Sequence, residues 1–223
     1  FVHLSDYSVM ERHTANPPLS EEEIDRALES YGEGDMAVVI DDTPTAPYAA
    51  EAAKRKGMKV MFCPGPARYE TLDASRAANA DYIWVSMNVA SIITGEVIDT
   101  YALRAMKKRY PESEIVMNSF IYRGLVTWEG EVHEHERRSV KIAEDRCCYA
   151  AYIAYFLRAV SDGAPAPYAN NLGLCALCEC LKRKGAYKSL PQIDAFMLRL
   201  KTKKRKYIKE MLPDGTVVLT REG

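Results

Sequence analysis

No stretch of this sequence is apolar for the length of a membrane span, and nothing at its start has the build of a signal peptide. A membrane anchor is therefore not expected. Net charge is almost absent too: 30 Lys and Arg stand against 31 Asp and Glu, giving −1 at pH 7. No global field draws such a chain to nucleic acid or to a membrane surface. The six cysteines follow no framework-like spacing, which argues against a disulfide-stapled scaffold and for reduced thiols in the cytoplasm. Internal repeats and low-complexity linkers are missing as well. The first residue is Phe1 rather than Met, so a processed chain, a trimmed one, or one lacking a leading segment is expected.

What is there is an ordinary globular composition, 48% apolar and 27% charged over 223 residues, enough for one substantial core. Strand-like and helix-like segments alternate. "FVHLSDYSVMERH" reads as strand, turn and strand. Ser20 and Glu23 then form a capping box ahead of a helix whose buried stripe is Ile24, Ala27, Leu28 and Tyr31. "MAVVI" is a near-continuous apolar run, which predicts a strand covered on both faces. An Ala-rich helix from Thr45 to Lys56 ends at Gly57, and the strands "KVMFC", "DYIWVS", "EIVMN" and "LVTW" follow, with a helix marked by Leu103, Met106 and Tyr110 between the second and third of them. Later helices are expected over Tyr149–Val160, Leu172–Lys182 and Pro191–Leu200, then a basic end with a small hairpin around Asp214-Gly215. Such β-α-β succession predicts an α/β fold, a mostly parallel sheet with helices on both faces.

One helix start is odd. Where small polar residues are usual, "EDRCCYAAYIAYF" supplies Cys147, Cys148, Tyr149 and Ala150, followed by an apolar face of Tyr149, Tyr152, Ile153, Phe156, Leu157 and Val160. Three further clusters have competing readings. Cys175, Cys178 and Cys180 have a ligand-like spacing, but Cys175 and Cys178 fall on one apolar helical face and Cys180 on the other, so core packing is expected rather than a metal site. His133 and His135 share one face of a strand, read as a solvated edge because no third ligand follows. Between Lys182 and Lys209 there are eleven Lys or Arg against one acid, Asp194, a solvated helical surface or an interaction patch for phosphate or nucleic acid.

Several segments in this order resemble the ribokinase-like (PfkB) carbohydrate kinase family. "TANPPLSEEEI" resembles the passage from that family's lid strands into the next helix. "GMKVMFCPGPA" is similar to its strand ending in Asp-Pro-Asn-Pro, with Cys63 and Gly65 in place of polar residues. "ADYIWVSMNVASIITGE" resembles the strand and Asn-x-x-Glu motif, "VKIAEDRCCYAAYIAYFL" the strand, Gly-Ala-Gly-Asp turn and helix, and "KRKGAYKSLPQIDAF" the C-terminal turn and last helix. The resemblance covers roughly residues 1–198. It implies residues 1–16 as a lid-strand remnant, 17–200 as the α/β core and 201–223 as a basic C-terminal extension, with the family's first sugar-binding units lacking a counterpart.

The resemblance also says what the odd turn should do. In the family it holds the transferring phosphate on backbone N–H groups at a helix N-terminus, and its Asp is the general base. The matching anion-hole positions here are Cys147, Cys148 and Tyr149, and the base position is Ala150, which cannot accept a proton. Asp145 is the displaced candidate. Asn88 matches the Asn of Asn-x-x-Glu, but Ser91 replaces the Glu that organises Mg²⁺. Of the nucleotide loop, "MNSFIYRG" keeps Gly124, and the Lys184-Gly185 turn is kept; Asn170 and Asn171 fall too early for the family's adenine-side Asn. ATP and Mg²⁺ are implied as cofactors by the family alone.

The expectation is a carbohydrate-kinase homologue with weak or no phosphoryl transfer, kept for binding or assembly, with Tyr149 packed inward or across the old phosphate site. The alternatives are an active sugar or nucleoside kinase using Asp145, and an anion- or nucleic-acid-binding module built on the basic C-terminal region. A homo-oligomer with a sugar or nucleotide ligand is expected; a membrane or nucleic-acid partner is not.

Overall fold

Short β-branched and aromatic runs separated by amphipathic helices build a single sheet. The computed structural model describes residues 18–41, 43–64, 74–119, 123–136, 139–143, 145, 147–192, 207–211 and 216–221. The strands are β1 (Met36–Asp41), β2 (Lys59–Pro64), β3 (Tyr82–Ser86), β4 (Glu114–Ser119), β5 (Arg123–Trp128), β6 (Glu131–Glu136), β7 (Tyr207–Met211) and β8 (Thr216–Arg221). They lie in the order β1-β2-β3-β4-β5-β6-β8-β7. β1 to β4 are parallel, as are β6 and β8, while β4-β5, β5-β6 and β7-β8 are antiparallel.

The helices are α1 (Glu21–Ala27), α2 (Ala46–Arg55), α3 (Met87–Thr94), α4 (Asp99–Arg109), α5 (Cys148–Ser161), α6 (Ala166–Leu181) and α7 (Ala186–Ser189). Strand alternation divides the core between the two faces of the sheet. Val39, Val60, Phe62, Ile83, Val85, Ile115, Met117 and Leu125 face α2, α3 and α4. Met61, Cys63, Tyr82, Val116 and Val126 face α5 and α6. The mostly parallel, doubly covered sheet expected from the sequence is thus what forms.

Local chemistry sets several boundaries as expected. The Ser20 hydroxyl accepts from the Glu23 N–H at 3.2 Å and the Glu23 carboxylate from the Ser20 N–H at 2.8 Å, so the capping box is complete. The α5–α6 pair packs closely because position 173 is glycine: a Cβ there would sit 2.8 Å from the Tyr152 carbonyl. The C-terminal hairpin forms as β7 and β8, and β8 pairs with β6 and so continues the main sheet.

Other expectations give way. α1 ends at Ala27, so its buried stripe shrinks to Ile24 and the partly covered Leu28; Tyr31 is exposed. β1 is not covered on both faces. Among the described residues it lies at the sheet edge, and Val38 and Ile40 are 45% and 57% exposed. α6 begins at Ala166, six residues before the expected Leu172, because Pro165 and Pro167 can occupy a helix start that needs no N–H donor. Among the cysteines of α6, Cys180 is the fully buried one and Cys175 and Cys178 are half-covered. Helix α6 packs against both α5 and the sheet, so its buried arc is wider than an amphipathic stripe. The strand expected over "FVHLS" and most of the helix expected over Pro191–Leu200 lie outside the described residues.

Candidate functional site

The C-terminal ends of β1 to β4, the start of β5 and the head of α5 lie at one end of the sheet. In open parallel α/β sheets this is where ligands bind. Asn88 stands exposed in the first turn of α3, which Ser86 caps by accepting the Val89 N–H at 3.4 Å. Ser91 follows, half-buried and neutral. α5 and α6 form an antiparallel hairpin, and the Ala143 N–H donates to the Leu181 carbonyl at 2.8 Å. That brings the segment after α6, with exposed Lys184 and half-buried Gly185, to the end where α5 begins. Gly185 has φ 90°, and a Cβ there would lie 3.5 Å from that of Lys188.

The head of α5 has an unusual backbone. Cys147 caps the helix at φ 63°, in the left-handed region, without a side-chain cap. For a non-glycine residue this costs roughly 1–2 kcal/mol. The Cys148 N–H donates to the Asp145 carbonyl at 3.2 Å, and the Ala151 N–H to the Cys147 carbonyl at 2.9 Å. Cys148 is buried, and burial pushes its thiol up to about 11, with Cys180 and Asp145 adding to the effect. It is a core residue here, not a thiolate nucleophile.

Tyr149 is half-buried and stands edge-on to Trp84 of β3, ring centroids 5.5 Å apart at 60°. Burial raises its phenol above the usual range, with Cys148 and Asp145 contributing. Ala150 is exposed and brings no acid-base group to the turn, and Asp145 is exposed just ahead of the helix. Trp84 in turn donates its indole N–H to Asn118 Oδ1 at 2.8 Å. Asn118 is buried, and its Nδ2 has no hydrogen-bond partner among the described residues. The polar ending of the apolar run "EIVMN" was the available signal for Asn118; nothing local distinguished Trp84.

Gly124 pairs with Asn118 on one side and His135 on the other. A Cβ at 124 would come 2.6 Å from Asn170 Oδ1, so glycine is what lets this carboxamide reach the sheet. Asn170 Nδ2 donates to the Gly124 carbonyl at 2.9 Å and contacts His135 Nδ1 at 3.1 Å, while the Tyr152 hydroxyl donates to Asn170 Oδ1. Spending both amide hydrogens this way makes Nδ1 the acceptor and leaves the His135 proton on Nε2. His135 is therefore no solvated edge residue: α6 covers it, and burial, helped by His133, lowers its pKa to about 4. Among the described residues no group of three or more His, Cys, Asp or Glu is placed to hold a metal ion.

No family model matches the sequence, and no curated protein matches it. Solved structures do. A ribokinase from Thermotoga maritima superposes with a TM-score of 0.64 at 19% identity, over 75% of this chain and 57% of that one. The Arabidopsis thaliana ribokinase, solved with ribose and ATP, gives 0.67 at 16%, over 81% and 58%. The chain has the ribokinase-like fold. Adenosine kinase from Sinorhizobium meliloti gives 0.68 at 13% identity, over 83% and 59%. Aligned on this fold, the chain spans under three fifths of the length of these three neighbours.

Proposed function

We infer that this ribokinase-fold chain transfers phosphoryl groups weakly or not at all, and that the fold is kept for binding a sugar- or nucleoside-like ligand and for assembly with a second copy in the cytoplasm. One observation carries the reading: Tyr149 lies against Trp84 in the first turn of α5, while the next residue is the exposed Ala150. A half-buried ring occupies the turn that would hold phosphate, and no carboxylate follows it. Phosphoryl transfer depends on positioning and electrostatic stabilisation, so losing base and anion hole together removes most of the acceleration. The described residues also fit Mg²⁺ poorly, since neutral Ser91 stands at the organiser's position and no acidic cluster replaces it. No step is assigned to the metal.

A second reading has an observation of its own. The Asp145 carbonyl holds the Cys148 N–H, which fixes Asp145 at the helix head where a displaced base would act. A transfer assay with ATP, Mg²⁺ and a panel of ribose, fructose and adenosine decides between the two. The inferred function predicts no turnover above background. Measurable turnover lost by roughly 10²–10⁴-fold in Asp145→Asn would establish the second reading instead.

A further inference from the structure

β3 and α5 make the same ring contact twice. Phe156 meets Tyr82 edge-on, centroids 5.4 Å apart at 80°, and Tyr149 meets Trp84 at 5.5 Å and 60°. Tyr82 and Trp84 are two residues apart on the strand, so both face α5. The inner pair is core, with Tyr82 and Phe156 buried. The outer pair differs in two ways. Trp84 and Tyr149 are only half-buried, and Trp84 carries a polar tether, its indole N–H donating to Asn118 Oδ1 at 2.8 Å. That tether has one orientation, because turning the carboxamide over would set Nδ2 against the indole N–H, donor against donor. Asn118 is itself fixed between Ser86 of β3 and Gly124 of β5. It is 1% exposed, and its Nδ2 has no partner among the described residues. A buried carboxamide bonded through its oxygen alone adds less stability than an apolar side chain of its size. Its contribution is to hold the indole in one plane.

We propose that Trp84 and Asn118 form a latch that keeps the Tyr149 ring in the turn at the head of α5. Asn118 orients the indole, and the indole holds the ring. The proposal rests on the reading of Tyr149 given above and adds what keeps the ring in place. Both residues are positioning residues that act through Tyr149. Two features make the latch releasable. The outer ring pair can part without unpacking Tyr82 and Phe156, since it borders water. The cap beside it, Cys147, is held at φ 63°, a strained conformation that persists only while its surroundings impose it. An edge-on ring pair shifts a two-state side-chain population by about threefold to tenfold. Apparent affinity for an anion in the turn scales with the fraction of open rings, so loosening the latch raises that affinity in proportion.

Calorimetric titration of the whole chain with inorganic tripolyphosphate tests this, comparing Trp84→Leu, Asn118→Leu and Tyr149→Gly with the unmodified protein. Tyr149→Gly removes the ring and sets the upper limit. Trp84→Leu should bind about tenfold more tightly than the unmodified chain, and Asn118→Leu, which keeps the indole but unfastens it, about threefold. Damage to packing alone lowers affinity or leaves it unchanged, so a gain identifies a latch. Circular dichroism and melting temperature accompany each variant; if Trp84→Leu does not fold, Asn118→Leu against Tyr149→Gly decides. A gain in Tyr149→Gly alone would overturn the proposal, because the ring would then hold itself in place. So would no gain in any variant, because the ring would then cover no anion site. The reading beneath the proposal fails differently, through micromolar Mg-ATP binding by the unmodified chain.

Discussion

Two polar clusters sit on opposite faces of the same hairpin, and they are built differently. On the α4 side, Arg123 of β5 bridges Asp99 at 2.7 Å and the buried Glu134 of β6. On the α6 side, one or two residues along the same strands, Gly124, His135, Asn170 and Tyr152 form a network with no charge. The difference follows exposure. The Arg123 side chain keeps about a third of its surface in water, 35%, so a charged cluster survives there. Burial works against the charge of Arg123, but Glu134 and Asp99 more than offset it, while Glu134 itself is raised, burial outweighing its arginine. Under α6 nothing reaches water, and only neutral partners can be satisfied. The charged cluster tolerates loss of a partner by admitting solvent; the neutral one does not.

Asn170→Ala should give the largest effect, because it leaves the Gly124 carbonyl, His135 Nδ1 and the Tyr152 hydroxyl without their partner at once. A loss of about 3–5 kcal/mol is expected, read by urea denaturation. Next comes acid. His135 is neutral in the folded state with its pKa depressed to about 4 from 6.5, so the unfolded chain binds the proton more readily. Its contribution is complete above pH 6.5 and is lost as pH falls toward 4, by up to about 3 kcal/mol. The difference between wild type and His135→Asn across that window isolates it from Glu134, whose raised pKa acts in the opposite direction. Arg123→Met should cost less, about 2 kcal/mol, since solvent can reach part of the site; adding Glu134→Gln should recover much of that in a double-mutant cycle. Ala150→Asp should be the smallest. An acid in the first turn of α5 adds roughly 0.5 kcal/mol of stability and, on the inferred function, restores no turnover, because Tyr149 still occupies the turn.

The neutral cluster also shows what could be read in advance. Helical spacing from Tyr149 to Val160 and the short apolar runs of β2 to β5 are local signals, so the fold was legible. The fate of Val38 and Ile40 was not, because an apolar run looks the same whether its neighbours cover it or not. His135 misled for the same reason: "EVHEHERR" is polar, and only α6 folding over β6 buries it. At the head of α5 the identities of Cys147 to Ala150 marked an unusual helix start, but the Trp84 contact depends on which strand lies under the helix.

The most direct test of the central claim is calorimetric titration of the unmodified chain with Mg-ATP. The inferred function predicts no heat of binding at micromolar ATP, and no rise on moving to Tyr149→Phe, which keeps the ring. Saturable micromolar binding by the unmodified chain would contradict the account, and would mean that Tyr149 leaves the phosphate position open.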